Sequence, residues 1–253
     1  MADATAYSSL AANLAADFTV LSADRRGRGL SPRQYSPDHD IARDVEDVDA
    51  ILEATDASIV FGLSSGAVIT LEAARTLARV KQAVLFEPPF YRDGIDRAGI
   101  ARLGTELEQG DLPSALLDAL LVARTAPAPL YRIPRPLARL IARAVISIDA
   151  WIRQSGPTFS SLLPGIRYDF HDVAQVDGDM KRFRDVSVPV LLINGTASPQ
   201  FLLDATLDLV QLLPIATQVV LETLGHDGPW NNGSPDQIAR AIREFLPRDL
   251  FGK

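Results

Sequence analysis

The stretch that decides how this chain is read is Ser58–Leu63 (SIVFGL), which passes through Gly62-Leu63-Ser64-Ser65-Gly66 into Ala67–Val80. SIVFGL is a short apolar run, the mark of a buried strand. Val68, Leu71 and Ala74 then recur at helical spacing. Strand, tight turn and helix follow one another without a linker. In that context the turn pushes Ser64 out at the carboxyl end of a sheet. Gly62 and Gly66 are expected to leave room for close backbone approach. The Ser65 amide opens the helix, where it would face a developing negative charge.

Working outward, Gln82–Phe86 reads as a further strand, stopped by Pro88-Pro89. Upstream, Tyr7, Leu10 and Leu14 lie on one helix face, and Phe18–Ala23 (FTVLSA) reads as a strand breaking into Asp24-Arg25-Arg26-Gly27-Arg28-Gly29. Asp40 is placed to cap a helix with the stripe Ile41, Val45, Val48, Ile51 and Leu52. The order β-α-β-α-β with short links predicts an α/β fold: a mostly parallel sheet with helices on both faces. Between residues 91 and 184 the pattern is helical but broken by prolines, among them Pro113, Pro127, Pro134 and Pro157. Leu137, Leu140, Ile141, Ala144, Val145 and Ile148 make one strongly apolar helix there, followed by Trp151. We expect this insert to form a helical cap over a core made of residues 1–90 and 185–253. The core resumes with a strand at Val188–Ile193, a helix at Phe201–Leu213 and a strand at Gln218–Leu221. Ser234-Pro235-Asp236-Gln237 has the form of a capping box opening a last helix.

Composition narrows the function. The chain has 253 residues, 47% of them hydrophobic, and a net charge of −7, so a nucleic-acid backbone is an unsuitable partner. It has no cysteine, which excludes disulfides, thiolate metal sites and a cysteine nucleophile. Three histidines, His39, His171 and His226, argue against a multi-histidine metal centre. No apolar run is long enough to span a bilayer and no secretion signal is evident. The expectation is a cytoplasmic protein acting on a small molecule without cofactor, metal, nucleic acid or membrane. A homodimer stays open.

A serine needs a base to act as nucleophile. His226, in Leu224-Gly225-His226-Asp227-Gly228-Pro229, follows the last strand, where catalytic groups of open α/β sheets gather. His39, in a polar turn, and His171, flanked by acids, read as surface or packing residues. The element order, the Asp24–Gly29 turn, Gly62-Leu63-Ser64-Ser65-Gly66 and the late Gly225-His226 together resemble the α/β-hydrolase superfamily over nearly the whole chain outside the cap. The resemblance implies Ser64 as nucleophile, His226 as base and an acid to orient the histidine.

In most of that superfamily the acid follows the strand matched here by Val188–Ile193. The corresponding loop is Gly195-Thr196-Ala197-Ser198-Pro199, with Ser198 where an aspartate is usual, and Asp204 lies well into the next helix. Glu87, ending the strand after the nucleophile helix, is the expected replacement. That arrangement is similar to the zearalenone lactonase branch and related actinobacterial hydrolases. The implied reaction is hydrolysis of an ester or lactone through an acyl-enzyme on Ser64, with the Ser65 amide in the oxyanion hole. Leu63, Trp151, Phe159 and Tyr168 are candidate walls for an apolar substrate, as is Leu140.

The resemblance also implies strands ahead of the Tyr7–Leu14 helix, one of which would supply a second oxyanion amide. The chain departs from the family there, and Tyr7 or the Arg25–Arg28 turn are the segments that could take over some positioning. The departure keeps two alternatives alive: a ligand-binding or receptor-like protein, and a lyase or cyclase using the same pocket. A dinucleotide-binding reading fails because Gly27-Arg28-Gly29 lacks the third glycine and does not open a helix.

Overall fold

A computed structural model of the chain describes residues 1–153 and 156–246. Residues 154–155 of the expected cap and 247–253 of the expected core lie outside the described residues. In chain order the elements are α1 (Ser8–Leu14), α2 (Ile41–Thr55), β1 (Ile59–Leu63), α3 (Ser65–Thr76), β2 (Gln82–Phe86), α4 (Arg97–Glu108), α5 (Leu112–Val122), α6 (Arg135–Ile152), α7 (Phe159–Leu162), α8 (Ile166–Val176), β3 (Val190–Gly195), α9 (Gln200–Leu212), β4 (Ala216–Leu221) and α10 (Pro235–Phe245). They fall into two compact units. One comprises Ala4–Ala23, Asp40–Gly94 and Gln175–Lys253 and carries the sheet; the other comprises Met1–Asp3, Asp24–His39 and Ile95–Ala174 and is helical. The Asp24–His39 stretch, which includes the expected Asp24–Gly29 turn and falls in the expected core, is grouped with the helices.

The sheet has four parallel strands in the order β1-β2-β3-β4. Its central strands β2 and β3 are buried along their whole length, as a parallel sheet covered on both faces requires. Alternate residues face opposite sides. Val84, Phe86, Leu191 and Ile193 join Leu10 and Leu14 of α1 and Ile238 and Ile242 of α10 in one apolar cluster. On the other face α3 packs on β1 and β2, and α9 on β3. There Asn194, fully buried, donates to Thr206 Oγ1 at 2.9 Å and to the Leu202 carbonyl at 3.3 Å, both on α9. Asp40 caps α2 by accepting from the Ala42 amide at 2.8 Å, a contact worth about 1 kcal/mol. Of the expected stripe, Ile41, Val45 and Leu52 are buried, while Ile51 is at the exposed limit.

Two expectations are corrected. Phe18–Ala23 forms no strand. Phe18 and Val20 do turn towards the apolar cluster and Leu21 faces solvent, so the alternation is right. A strand also needs a ladder, and β1 ends the described sheet without pairing to this segment. Ser234 makes no side-chain cap; its amide instead donates to the Gly228 carbonyl at 2.9 Å. Pro235 opens the helix in the first-turn position that suits a residue without an N–H, with Asp236 beside it in the first turn.

The helical unit is fixed in a way that its apolar pattern does not show. Helix α6 turns Ala138, Ala142 and Asp149 inward, and its large apolar residues stay exposed. Small residues and charge pairs fix it: Arg135 donates to both oxygens of the fully buried Asp118 at 2.7 and 2.9 Å, and Arg139 to Asp111 at 3.0 Å. Nearby, the Asp24–His39 stretch is held to α8 by polar contacts. Arg25 donates to Asp169 and Asp172, each at 2.8 Å, Arg28 to Asp169 and to the Gly165 carbonyl, and the Tyr168 hydroxyl to the Gln34 carbonyl at 2.9 Å. Gly27, at φ +77°, lies where a Cβ would come within 2.9 Å of the Tyr168 ring. No described helix is long and apolar enough to cross a membrane.

Glu106 of α4 sits against this charge network. Burial first, and then the Asp118 carboxylate, push its carboxyl up to about 7, against the pull of Arg135. The folded state thus keeps a proton that the unfolded chain releases at ordinary carboxyl pH. Stability from this group is lost as pH rises from the usual carboxyl range through about 7. Glu106→Gln should therefore raise the melting temperature at pH 8 and leave it nearly unchanged at pH 4.5. Thermal unfolding at the two pH values measures this, and an equal shift at both would refute it.

Candidate active site

The register of the sheet sets the site. Leu63 pairs with Phe86 and Phe86 with Ile193, so Ser64 and Glu87 are the next residues along neighbouring strands about 5 Å apart. Ser64 is the N-cap of α3 at φ 56°, ψ −123°. A non-glycine residue there carries strain on the order of 1–3 kcal/mol. Backbone bonds hold it: the Ser64 amide donates to the Phe86 carbonyl at 2.9 Å, and its carbonyl accepts from Ala67 at 2.8 Å and Val68 at 3.2 Å. Ser65 is the first residue of α3 and is buried. The two glycines of the motif differ. A Cβ on Gly62 would lie 2.2 Å from the Gly66 carbonyl oxygen, whereas one on Gly66 would meet nothing within 4 Å. Only Gly62 is needed for close approach, which corrects the symmetrical reading.

Glu87 also holds a positive φ, 50°, and its amide donates to the Ile193 carbonyl at 3.1 Å. The bend turns its side chain into a fully buried position. One carboxylate oxygen accepts from the Gly195 amide at 2.8 Å; the other lies 2.6 Å from Nδ1 of His226. A carboxylate only accepts, so Nδ1 carries the proton and Nε2 has an open lone pair whenever the ring is neutral. The His226 side chain is 24% exposed and Ser64 is half-buried.

The loop bearing His226 is clamped at two places. On one side the Leu224 carbonyl accepts from Ala197 at 2.8 Å, and a Cβ on Gly195 would come within 2.1 Å of that carbonyl oxygen. On the other, Asn231 Oδ1 accepts from the Ser9 amide at 2.9 Å and the Ser8 hydroxyl at 3.2 Å. Its Nδ2 donates to the Thr5 carbonyl and its amide to that of Ala6, each at 2.8 Å. Trp230 Nε1 donates to the Tyr7 hydroxyl at 3.3 Å, and the Tyr7 ring stands edge-on to Phe61 of β1. Tyr7 is thereby part of the support of the histidine loop. Gly195, Trp230 and Asn231 escaped the sequence reading, since nothing in a Trp-Asn-Asn-Gly run says which distant segment it bonds.

The remaining candidates separate. Ser198 Oγ is buried without a hydrogen-bond partner among the described residues. Asp204 accepts from Gln200 at 3.0 Å and faces Arg92 at 3.7 Å. His39 is buried against Asp172 at 2.9 Å, and His171 Nδ1 meets the Tyr35 hydroxyl at 2.7 Å. The Arg25–Arg28 turn is engaged with acids of α8 within its own unit. Of the expected substrate walls, Leu63 belongs to the apolar cluster, and Tyr168 is buried inside the helical unit. Phe159 is half-buried, while Leu140 and Trp151 are exposed on α6.

The glycine geometry yields a paired expectation. Gly195→Ala should cost about 1–3 kcal/mol or more, because backbone and not a flexible side chain must yield. Gly66→Ala, within a helix and facing open space, should gain roughly 0.5–1 kcal/mol. Denaturant unfolding of the two variants checks both signs.

Residues 2–241 match the model of the alpha/beta hydrolase family. Comparison with curated proteins gave no significant match. Among solved structures, an alpha/beta hydrolase from Sphaerobacter thermophilus is 27% identical, with a TM-score of 0.77 over 97% of this chain and 89% of that one. A thermophilic esterase from Thermogutta terrifontis is 18% identical, with a TM-score of 0.71 over 99% and 87%. A meta-cleavage product hydrolase from Pseudomonas fluorescens is 22% identical, with a TM-score of 0.61 over 96% and 85%. With a strand-turn-helix serine, a histidine loop after the last strand and a family match over almost its full length, the chain belongs to the alpha/beta hydrolase family.

Proposed function

We propose that the protein is a serine hydrolase that cleaves an ester or lactone of a small apolar molecule, with Ser64, His226 and Glu87 as its triad. The observation that carries the reading is the 2.6 Å contact between His226 Nδ1 and a fully buried Glu87. A buried carboxylate is costly unless a donor or a positive charge meets it. An imidazole that becomes charged during the reaction is such a partner.

The chemistry follows from the proton inventory. His226 Nε2 takes the Ser64 proton as Oγ attacks the substrate carbonyl carbon. Nδ1–H stays bonded to Glu87, which fixes the tautomer and stabilises the imidazolium. The carbonyl oxygen becomes an oxyanion and is met by the Ser65 amide. The imidazolium then protonates the leaving alkoxide, and the acyl group remains on Ser64. Water, deprotonated by His226, attacks that ester and releases the acid with Ser64 restored. The Glu acid at this position is also what links the chain to the zearalenone lactonase-like branch, and esterase and hydrolase relatives share its fold.

A fluorophosphonate probe should label the wild-type chain at Ser64 and leave Ser64→Ala unlabelled. Turnover of p-nitrophenyl esters or simple lactones should vanish in Ser64→Ala and drop by about 10⁴-fold in Glu87→Gln. Labelling elsewhere, or ligand binding with no turnover in the wild-type chain, would replace the hydrolase reading with a binding protein.

A further inference from the structure

Helix α6 presents an apolar face to solvent. Leu137, Leu140, Ile141, Val145 and Ile148 are 40–57% exposed. Trp151 at 75% and Ile152 at 66% extend the same face. Their spacing by three, four and seven places them on one side of the helix, next to the inward Ala138, Ala142 and Asp149. Together they open on the order of 700 Å² of largely apolar surface, above the largest patch of a typical monomer. That area is close to the ~800 Å² each partner contributes to a standard interface.

We propose that this face is the interface of a homodimer, formed by α6 packing antiparallel against α6 of a second copy. A two-fold contact uses the same patch on both sides, so a patch must be its own complement. The exposed face runs from Leu137 to Ile152, and its midpoint falls at Ala144 and Val145. An antiparallel pair centred there sets large residues at each end of one helix against large residues of the other. The small exposed Ala144 lies at the crossing, where two backbones come nearest. Trp151, near the end of each face, supplies an aromatic anchor of the kind that dominates interface energies.

Charge favours a second copy over a lipid surface. An interfacial helix relies on cations beside its apolar face to attract anionic headgroups. Here Arg135 and Arg139 are bonded to Asp118 and Asp111, and Arg153 to Asp149, which leaves Arg143 as the one arginine of α6 without an ion pair among the described residues. The chain as a whole carries −7, which an anionic bilayer repels. Two apolar faces meeting each other need no such attraction.

The test uses the full chain at micromolar concentration. Sedimentation velocity and light scattering should give a dimer mass for the wild type. Ile141→Glu/Ile148→Glu should give a monomer with unchanged far-UV circular dichroism and unchanged probe labelling of Ser64. The absence of native cysteine provides a second measurement that does not depend on that variant's folding. Ala144→Cys should be cross-linked to a covalent dimer by a short bis-maleimide, whereas Arg97→Cys should not. A monomeric wild type, a double variant that stays dimeric, or equal cross-linking of the two cysteine variants would overturn the proposal. So would a monomeric wild type that floats with phosphatidylcholine–phosphatidylglycerol vesicles, which would assign the face to lipid.

Discussion

One buried carboxylate organises the sheet-bearing unit. Glu87 directly follows β2, accepts from the last amide of β3 with one oxygen and meets the imidazole that follows β4 with the other. Three consecutive strands therefore converge on a side chain with no exposure to water. Its desolvation is large, and only the geometry of both contacts offsets it. The backbone accommodates this by a positive φ at Glu87, next to the positive φ of Ser64 on the neighbouring strand. Two strained non-glycine residues thus stand one step beyond the same register pair, which is the strain expected if the proposed site sets their conformation.

Much of this was legible because it is local. The turn at Ser64 is announced by a strand and a helix that touch it directly. Pro88-Pro89 marks where β2 must stop, which leaves Glu87 at its tip. The missing acid at Ser198 directs attention to another carboxylate, and Glu87 does meet the imidazole in the structure. The first two inferences need only period and punctuation, while the third rests on the resemblance to the family, which says where an acid is usual.

What could not be read is pairing between distant segments. Phe18–Ala23 has strand alternation and strand chemistry, yet a ladder depends on a neighbour that the segment itself does not name. Ser234 matches a capping motif, but the Gly228 carbonyl claims the local backbone. The stripe on α6 is apolar as read, but its period does not say whether it is covered, and Arg135 and Arg139 dock the helix through acids on its other side. The role of Asn231 depends wholly on residues met more than two hundred positions earlier.

That last separation bears on how the protein comes into being. The loop carrying His226 is anchored to the Thr5–Ser9 segment by contacts spanning 222 to 226 residues. Such non-local contacts form late, because the entropy of closing a long loop is paid before the contacts reward it. During synthesis the serine turn and its strand are complete long before the imidazole leaves the ribosome. On the reading proposed above, a nascent or truncated chain would hold the hydroxyl without its base, and reactivity would emerge as the final event of maturation.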